Sequence, residues 1–489
     1  MTITWEQVLA FLCEDQTMAI TSLLFLAFFA AVALINYALP RVLRPYFLLA
    51  ASYGFFCYDP VNRPLVWVIA AATVLTWLCG LIIGKVRAKP VRVLALAASV
   101  GFGIGILVYY KHWNLLADTV GGSILSHREN LLAPLGLSYF TFAAMSYTID
   151  VYKRRCRVET NLLHYALFVS FFPTLINGPI ERYPQMRPQI QKSRRFSYGR
   201  CAGGAFRMLW GYTKKMVLAD NLSHYVSLVY GDVGSMSGPN LVAATVLFAV
   251  QLYMDFSGCC DIALGAARIL GYDLIENFQS PFEARTFNDF WRRWHISLSS
   301  WLRDYLYISL GGNRKGRIRT YGNLLLTMLL GGLWHGAAVR FILWGGLHGA
   351  ALALHKLWMA LVPGAKATGA QMHWWSRAAG MLLTFNIVCL GWLMFRAESM
   401  QTVSLMLHQI FENFNAAMIP QVVTGYAAVF ALIAAGYILH LLPSAVDAVA
   451  QRIVVHAPLV LQVLMAAAMI WCVMQIKSSD IQPFIYFQF

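Results

Sequence analysis

Residues 324–348, LLLTMLLGGLWHGAAVRFILWGGLH, form an apolar stretch that carries His335 next to several glycines. The stretch follows an aromatic and basic block, NDFWRRWH at 288–295, and a basic turn, RKGR at 314–317. Burying an imidazole in an apolar span is costly, and ionisable side chains kept there usually serve a functional interior. We therefore predict that His335 is a catalytic base and that the rest of the chain builds the protein wall around it.

The composition of the whole chain indicates a membrane protein. Of the 489 residues, 59% are hydrophobic and only 12% are charged, whereas about 25% are charged in a soluble domain. The apolar segments recur from end to end and are too long for the strands of a β-barrel. The sequence predicts an all-α polytopic membrane protein, one domain over residues 1–489, with roughly 11–13 membrane-embedded helices including re-entrant segments, counted at about 20 residues a span.

The formal charge of +16 has two interpretations. Lys and Arg concentrate in cytoplasmic loops and set the topology of membrane proteins, or they form an anion-binding face for a phosphate-rich donor. Nucleic acid binding is not expected, because the chain has no basic soluble domain. The nine cysteines are scattered without a ligand spacing, so we predict neither a metal site nor a disulfide framework.

Along the chain, acidic residues precede the first span at 17–38 and arginines follow it, which predicts an N-terminus outside the cytoplasm. The run 162–177 lies between two basic loops, so it either fails to cross or has a re-entrant neighbour, and a re-entrant element implies a cavity. A polar loop is predicted at 111–130, and a short helix and loop at 262–282. The remaining predicted elements are an amphipathic start at 1–15, spans at 45–58, 64–84, 93–110, 131–149, 203–230, 241–256, 321–333, 337–361, 375–395, 422–442 and 454–475, an interfacial block at 283–319, an ambiguous segment at 402–414 and an aromatic end at 482–489.

Three histidines are candidates for chemistry. Histidine takes up a proton near neutral pH, and glycines around His335 allow backbone or substrate to approach closely. A structural His335, hydrogen-bonded between helices, is the alternative. His295 stands in an interfacial block, where a catalytic and a structural role are equally compatible with the pattern. For His348 we expect a role in the core, and the three spacings match no metal motif.

A basic cluster begins in the same block. Arg292, Arg293 and Arg303 either set topology or hold the phosphates of a cytosolic acyl donor. Asp255 lies in an apolar run and pairs with a cation, lines an interior or caps a helix. Further members of the basic cluster are Arg314, Lys315, Arg317 and Arg319.

An ordered set of motifs resembles the membrane-bound O-acyltransferase family, and within it the bacterial alginate O-acetylation subgroup. The set is densest between residues 135 and 348, and the departures from the family pattern lie at 259–260 and 338–340. The motifs are FWRRWHISLS at 290–299, WLRDY at 301–305, LGGNR at 310–314, LWHGA at 333–337, FFP at 171–173, NGPIER at 177–182 and DFSG at 255–258.

The resemblance implies helices around a central tunnel with no bound cofactor or metal. A cytosolic donor, acetyl-CoA or an acyl-carrier thioester, approaches one mouth, and a hydroxyl acceptor approaches the other. His335 then matches the essential histidine and His295 a second one toward the cytosol. Candidate donor-binding or tunnel residues are Trp294, Arg292, Arg293, Arg303, Asp255 and Trp334. The implied setting is a bacterial inner membrane with lipids, a glycan acceptor and a periplasmic hydrolase-like acyltransferase partner.

Three hypotheses follow. The first is an O-acyltransferase. Its preferred reaction is O-acetylation of an exported polysaccharide or cell-wall glycan, and D-alanyl or other acyl transfer to a cell-envelope polymer is the alternative. The second is a proton-coupled transporter that uses His335, Asp255 and Asp261 as a relay, although the chain lacks the paired broken helices of inverted repeats. The third is a non-catalytic membrane scaffold for glycan export.

Overall fold

The computed structural model describes residues 18–120, 125–128, 131–175, 177–362, 373–441 and 444–477. Over these ranges the regular elements are helices, without a strand, so the predicted all-α class is confirmed. Within these ranges two compact units emerge: the described residues up to 212, 259–275 and from 448 onward form the first, and those in 213–258 and 276–447 form the second. The single domain inferred from the sequence stays a prediction.

The first unit contains the N-terminal helices and the last helix. They are α1 (Leu23–Ala38), α2 (Arg44–Tyr58), α3 (Val66–Lys85), α4 (Lys89–Val120), α5 (Leu137–Tyr152), α6 (Leu162–Ser170), α7 (Phe172–Leu175), α8 (Tyr183–Gln191), α9 (Tyr198–Tyr212) and α21 (Leu459–Lys477).

The second unit begins with a π-helical segment, Thr213–Ala219, that continues α9. Helices α11 and α20 contribute residues to both units. The helices are α10 (Asp220–Gly231), α11 (Gly238–Ile269), α12 (Phe287–Arg293), α13 (Ile296–Trp301), α14 (Arg317–His335), α15 (Val339–Leu361), α16 (Trp374–Arg396), α17 (Met400–Glu412), α18 (Ile419–Gly425), α19 (Ala427–Leu441) and α20 (Ser444–His456).

Within the described residues, four helices are long and apolar enough to cross a membrane, or up to six if each of two bent pairs counts as one span. The four are 63–85, α4, α11 and α16, and the bent pairs turn by 84° after residue 425 and by 114° after residue 456. This confirms a polytopic membrane protein. The count of 11–13 embedded segments and the re-entrant elements stay predictions.

Two helices run past the boundaries predicted from hydropathy. Helix α4 continues to Val120, because its polar end contains neither proline nor glycine after Gly105. Helix α11 contains the predicted span 241–256 and continues to Ile269, where a separate short helix and loop was predicted from residue 262. Its Asp261 is neutralised by Arg207 at 3.0 Å. Falling hydropathy marked a change of environment in both places, but it did not end either helix, and α11 continues through Gly258 and Gly265. The amphipathic start at 1–15 and the aromatic end at 482–489 lie outside the described residues.

The core of the first unit is built on three fully buried tyrosines, Tyr147, Tyr165 and Tyr183, whose rings lie 4.5–5.9 Å apart. Their hydroxyl groups are paired: Tyr165 bonds Thr76, and Tyr183 donates to the buried Glu159 carboxylate. Paired hydroxyls allow such large amphipathic rings to fill a core without a desolvation penalty.

Candidate active site

The hairpin of α14 and α15 holds His335 at its turn. Glycines let the two backbones touch: a Cβ at Gly332 would lie 2.2 Å from the Phe341 carbonyl oxygen, and one at Gly345 would lie 2.3 Å from that of Met328. No side chain fits at either position, so these glycines admit backbone rather than substrate. The close packing fixes His335, the last residue of α14, opposite the first turns of α15.

The His335 ring is enclosed by aromatic rings on three sides. Its centroid lies 4.6 Å from Trp334, 5.0 Å from Trp344 and 5.1 Å from Phe395. The residue is half-buried and stands at the carbonyl end of a 19-residue helix, where the helix dipole favours a positive charge. This position stabilises the imidazolium that a general base becomes when it takes a proton.

His295 occupies a strained turn between α12 and α13. Its φ of 44° is in the left-handed region, and its ring is almost completely buried. The Asn277 side-chain oxygen lies 3.2 Å from Nδ1 of His295 and also accepts bonds from the backbone and hydroxyl of Ser297. Because that oxygen can only accept, Nδ1 carries the proton and Nε2 has the lone pair. Burial lowers the pKa of His295 to about 3, so the imidazole is neutral near pH 7.

One indole ring links the two histidines. Trp334 lies 4.6 Å from His335 and 6.5 Å from His295, centroid to centroid. On its other side His295 packs edge-on against Phe256 at 4.8 Å. The structure therefore brings His335, His295 and Trp334 into one cluster, although 40 residues of sequence separate the two histidines.

Asp255 belongs to a buried charge cluster beside this site. Lys215, in the π-helical segment, lies 2.9 Å from the Asp255 carboxylate and 2.7 Å from that of Asp220. The cation that Asp255 pairs with is a lysine that the sequence analysis did not single out. A lysine within the predicted span 203–230 was the available signal, since a buried ammonium requires carboxylate partners.

A cavity of about 500 Å³ lies on the basic side of the α14–α15 hairpin. Arg292, Arg303 and Lys356 supply its charges, and Lys356 donates to the Asn313 side chain at 2.8 Å. Lys356 was missed from the sequence because it stands alone in an apolar helix. The other lining residues include Trp291, Ile296, Ser299, Ser300, Leu302, Tyr307, Thr327, Met328, Leu352, His355 and Met359.

Trp294 and Arg293, two of the candidate donor-binding or tunnel residues, do not line this cavity. Trp294 is buried in the core between Phe290, at 5.7 Å, and Trp392, at 4.9 Å. Arg293 is occupied by the Asp289 carboxylate at 3.1 Å and by nearby backbone oxygens. In the motif at 290–295, Trp291 and Arg292 line the cavity, whereas Phe290 and Trp294 are buried in the core. The order of Trp and Arg in the sequence does not distinguish the two environments.

Comparison with known proteins finds one family model and several named acyltransferases that are similar to this chain. The model of the membrane-bound O-acyltransferase family matches residues 135–390. The chain is 37% identical to a probable alginate O-acetylase of Pseudomonas syringae over 81% of this chain and 75% of that protein. It is 34% identical to a peptidoglycan O-acetyltransferase of Helicobacter pylori, over 77% and 75%. It is also 27% identical to a teichoic acid D-alanyltransferase of Bacillus subtilis, over 55% and 70%.

Proposed function

The chain belongs to the membrane-bound O-acyltransferase family, and from this premise we propose that it transfers an acetyl group from a thioester donor to an envelope glycan. It is a multi-pass membrane enzyme of the O-acyltransferase class. Acetyl is preferred over D-alanyl because relatives named O-acetylases are 34–38% identical to this chain, against 27–28% for the D-alanyltransferases. We place the protein in a bacterial inner membrane, with a periplasmic hydrolase-like partner that completes transfer to the sugar.

His335 is the general base of the proposed reaction. It removes the proton from an acceptor hydroxyl while that oxygen attacks the carbonyl carbon of the thioester. The carbon–sulfur bond then breaks, the acyl group becomes an oxygen ester, and the thiolate leaves and takes the proton back from the imidazolium. The aromatic enclosure of His335 and its place at the helix carbonyl end support this role.

His295 is proposed to act as a neutral hydrogen-bonding group on the donor side of His335. Its tautomer is fixed by Asn277, and its burial keeps it uncharged. A neutral imidazole whose orientation is held by a neighbour is a preorganised polar group, which suits alignment of a reacting carbonyl better than a mobile side chain would. Its contact with Trp334 couples its position to that of His335.

The cavity is the proposed site of the donor's phosphate-bearing end. Arg292 and Lys356 place two cations around it, and Arg303, which is paired with Asp304 at 2.8 Å, is a third. Guanidinium groups pair well with phosphate. The basic turn at 314–317 precedes α14 on the same side, which assigns this end to the cytoplasm under the positive-inside rule. Helix α14 has 19 residues, so His335 lies about 27 Å along the helix axis from Arg317, and the cavity lining reaches Met328 between them.

The decisive experiment replaces His335 with Ala. The purified variant in proteoliposomes should lose transfer of labelled acetyl groups to acceptor glycan, while it inserts and unfolds like the wild type. His164→Ala, a half-buried histidine of α6 in the first unit, is the matched control. Mass spectrometry of the glycan identifies acetyl or D-alanyl esters. Normal acyl transfer by His335→Ala would refute the proposed function.

The donor end is tested separately. Arg292→Gln and Lys356→Gln should each raise KM for acetyl-CoA about tenfold or more, the effect of losing one charge-assisted bond of roughly 1.5–3 kcal/mol. They should leave KM unchanged for acetyl-N-acetylcysteamine, a thioester without phosphate. Arg319→Gln is the control, because Arg319 is exposed and does not line the cavity. Equal effects on both donors would contradict a phosphate site here.

A further inference from the structure

Three rings lie between the cavity and His335, and we call them the aromatic partition: Trp291, Trp344 and His348. Trp291 lines the cavity and lies 5.9 Å from Trp344 and 5.2 Å from His348. Trp344 and His348 are 4.5 Å apart, and Trp344 is 5.0 Å from His335. A chain of ring contacts, from Trp291 through Trp344, therefore runs from the cavity lining to His335.

The partition buries polar atoms without partners. His348 is completely buried, and among the described residues neither of its ring nitrogens has a hydrogen-bond partner. The same holds for the indole nitrogens of Trp291 and Trp344. Buried polar groups are nearly always hydrogen-bonded, and each exception in a native structure needs a cause. Four such atoms on three touching rings form a cluster with one common cause.

A purely structural role does not account for this cluster. Phenylalanine would fill the His348 site without any unpaired nitrogen, and a neighbouring ring of that type, Phe287, already packs 5.2 Å away. The site is also shaped around the imidazole, because a Cβ at Gly391 would lie 2.6 Å from Nε2 of His348. The position therefore accommodates a polar ring closely, and its nitrogens have no hydrogen-bond partner among the described residues.

We propose that the partition opens when the donor enters and binds the amide and carbonyl groups of the donor's arm. The proposal rests on the proposed function, which supplies a thioester donor. The indole N–H groups donate to carbonyl oxygens, and the neutral imidazole offers one acceptor and one donor, which complements a secondary amide. The substrate class is thus an acyl thioester on an amide-containing arm, whether the arm is carried by a nucleotide or by a carrier protein.

Trp291 is the movable member. It is half-buried, whereas Trp344 and His348 are buried. It also stands on a helix of only seven residues, α12, while the other two stand on the 23-residue α15 that packs closely against α14. Rotation of Trp291 toward the cavity would uncover His348 first and then Trp344. The two fixed rings then lead the arm along one face of α15 toward His335.

His348→Phe tests the partition, because it keeps a ring of similar size and removes both nitrogens. We expect KM to rise at least tenfold for acetyl-CoA and equally for acetyl-N-acetylcysteamine, which has one amide and no phosphate. We also expect the Tm of the donor-free protein to stay equal or rise, since unpaired polar atoms are lost. Wild-type KM values for both donors would overturn the proposal.

Trp291→Phe provides an independent variant should His348→Phe fail to fold. It should raise KM for both donors in the same way, and an unchanged KM in a folded Trp291→Phe protein would overturn the proposal. The controls are His164→Phe, which keeps a ring contact with Tyr46, and Trp301→Phe, a buried indole outside the cavity lining. If His335→Ala remains active, the proposed function fails. If His335→Ala is inactive and both partition variants keep wild-type KM, the partition alone fails.

Discussion

Gly391 of α16 stands directly against His348 of α15, so that a Cβ atom at residue 391 would lie 2.6 Å from Nε2 of the imidazole. Real Cβ atoms do not approach a ring nitrogen this closely, and the ring has no room to withdraw because it is enclosed by Trp344 and Phe287. The absence of a side chain at residue 391 is therefore what allows the imidazole to occupy its place.

Gly391→Ala should accordingly displace His348. Alanine in a helix interior is favoured over glycine by about 1 kcal/mol, but overpacking of a rigid core costs about 1–3 kcal/mol, so we expect a net loss of stability and a raised donor KM. Thermal unfolding in detergent and steady-state kinetics measure both. Gly101→Ala in α4 is the control, because nothing lies within 4 Å of a Cβ there. A Gly391→Ala protein as stable and active as Gly101→Ala would contradict this account.

Asn277→Ala should release His295. The Asn277 oxygen accepts from His295 and twice from Ser297, and all three residues are buried. Losing the shared acceptor leaves donors unpaired, which costs about 1–3 kcal/mol for each group. We expect a lower Tm together with a large fall in kcat, measured on the purified protein. A variant that loses stability but keeps the wild-type kcat per folded molecule would show that the His295 orientation is not used in the reaction.

Two substitutions of His295 distinguish the stability cost of its left-handed backbone from the effect of losing its imidazole on acyl transfer. Asparagine tolerates a left-handed φ such as the 44° observed here, whereas alanine pays roughly 1–2 kcal/mol for it. Both variants lack the imidazole, so both should lose acyl transfer, and His295→Ala should also unfold at lower temperature than His295→Asn. Activity retained by His295→Asn would restrict His295 to a structural role.

Stability should depend on pH through Glu181. Burial raises the pKa of Glu181 to about 7, although the Ile275 amide and the Arg182 guanidinium oppose the shift. The folded protein thus holds this proton more tightly than the unfolded chain, whose carboxyl titrates near 4.5. The stabilisation is complete below pH 4.5, declines between pH 4.5 and 7, and amounts to about 3 kcal/mol.

Glu181→Gln removes that titration and keeps the acceptor for the Ile275 amide, which lies 2.7 Å from the carboxylate. We therefore expect the wild type to lose Tm, relative to Glu181→Gln, as pH rises from 4.5 to 7, with no further divergence above pH 7. Parallel Tm curves for the two proteins across this range would show that the Glu181 proton is not linked to folding.

Substitutions of Lys215 and of Asp255, which form a buried ion pair, should lower the stability of the protein by different amounts. Lys215→Met leaves the Asp220 and Asp255 carboxylates without their shared ammonium, and breaking a buried pair costs about 3–5 kcal/mol. Asp255→Asn should cost less, because Lys215 keeps Asp220 at 2.7 Å. The double variant Lys215→Met/Asp255→Asn should recover part of the loss, as chemical or thermal unfolding would show. Additive losses would mean that Lys215 and Asp255 do not interact.

Sequence reasoning determined the class of the protein because membrane solvation acts on composition. A chain with 12% charged residues must hide its backbone polar groups in helices, and the family motifs stand in the sequence itself. His335 was likewise recognisable as a candidate site residue, since a histidine close to glycines in an apolar run is unusual.

Only the tertiary structure decided which neighbours each candidate has. Within six residues of one motif, Arg292 lines the cavity, Trp294 fills the core and His295 takes a left-handed turn against Asn277. Lys356 and His348 gained their significance from contacts across helices. Periodicity encodes which residues are buried along one helix, but the pairing of buried polar atoms depends on how helices distant in sequence pack, and that is a property of the folded chain alone.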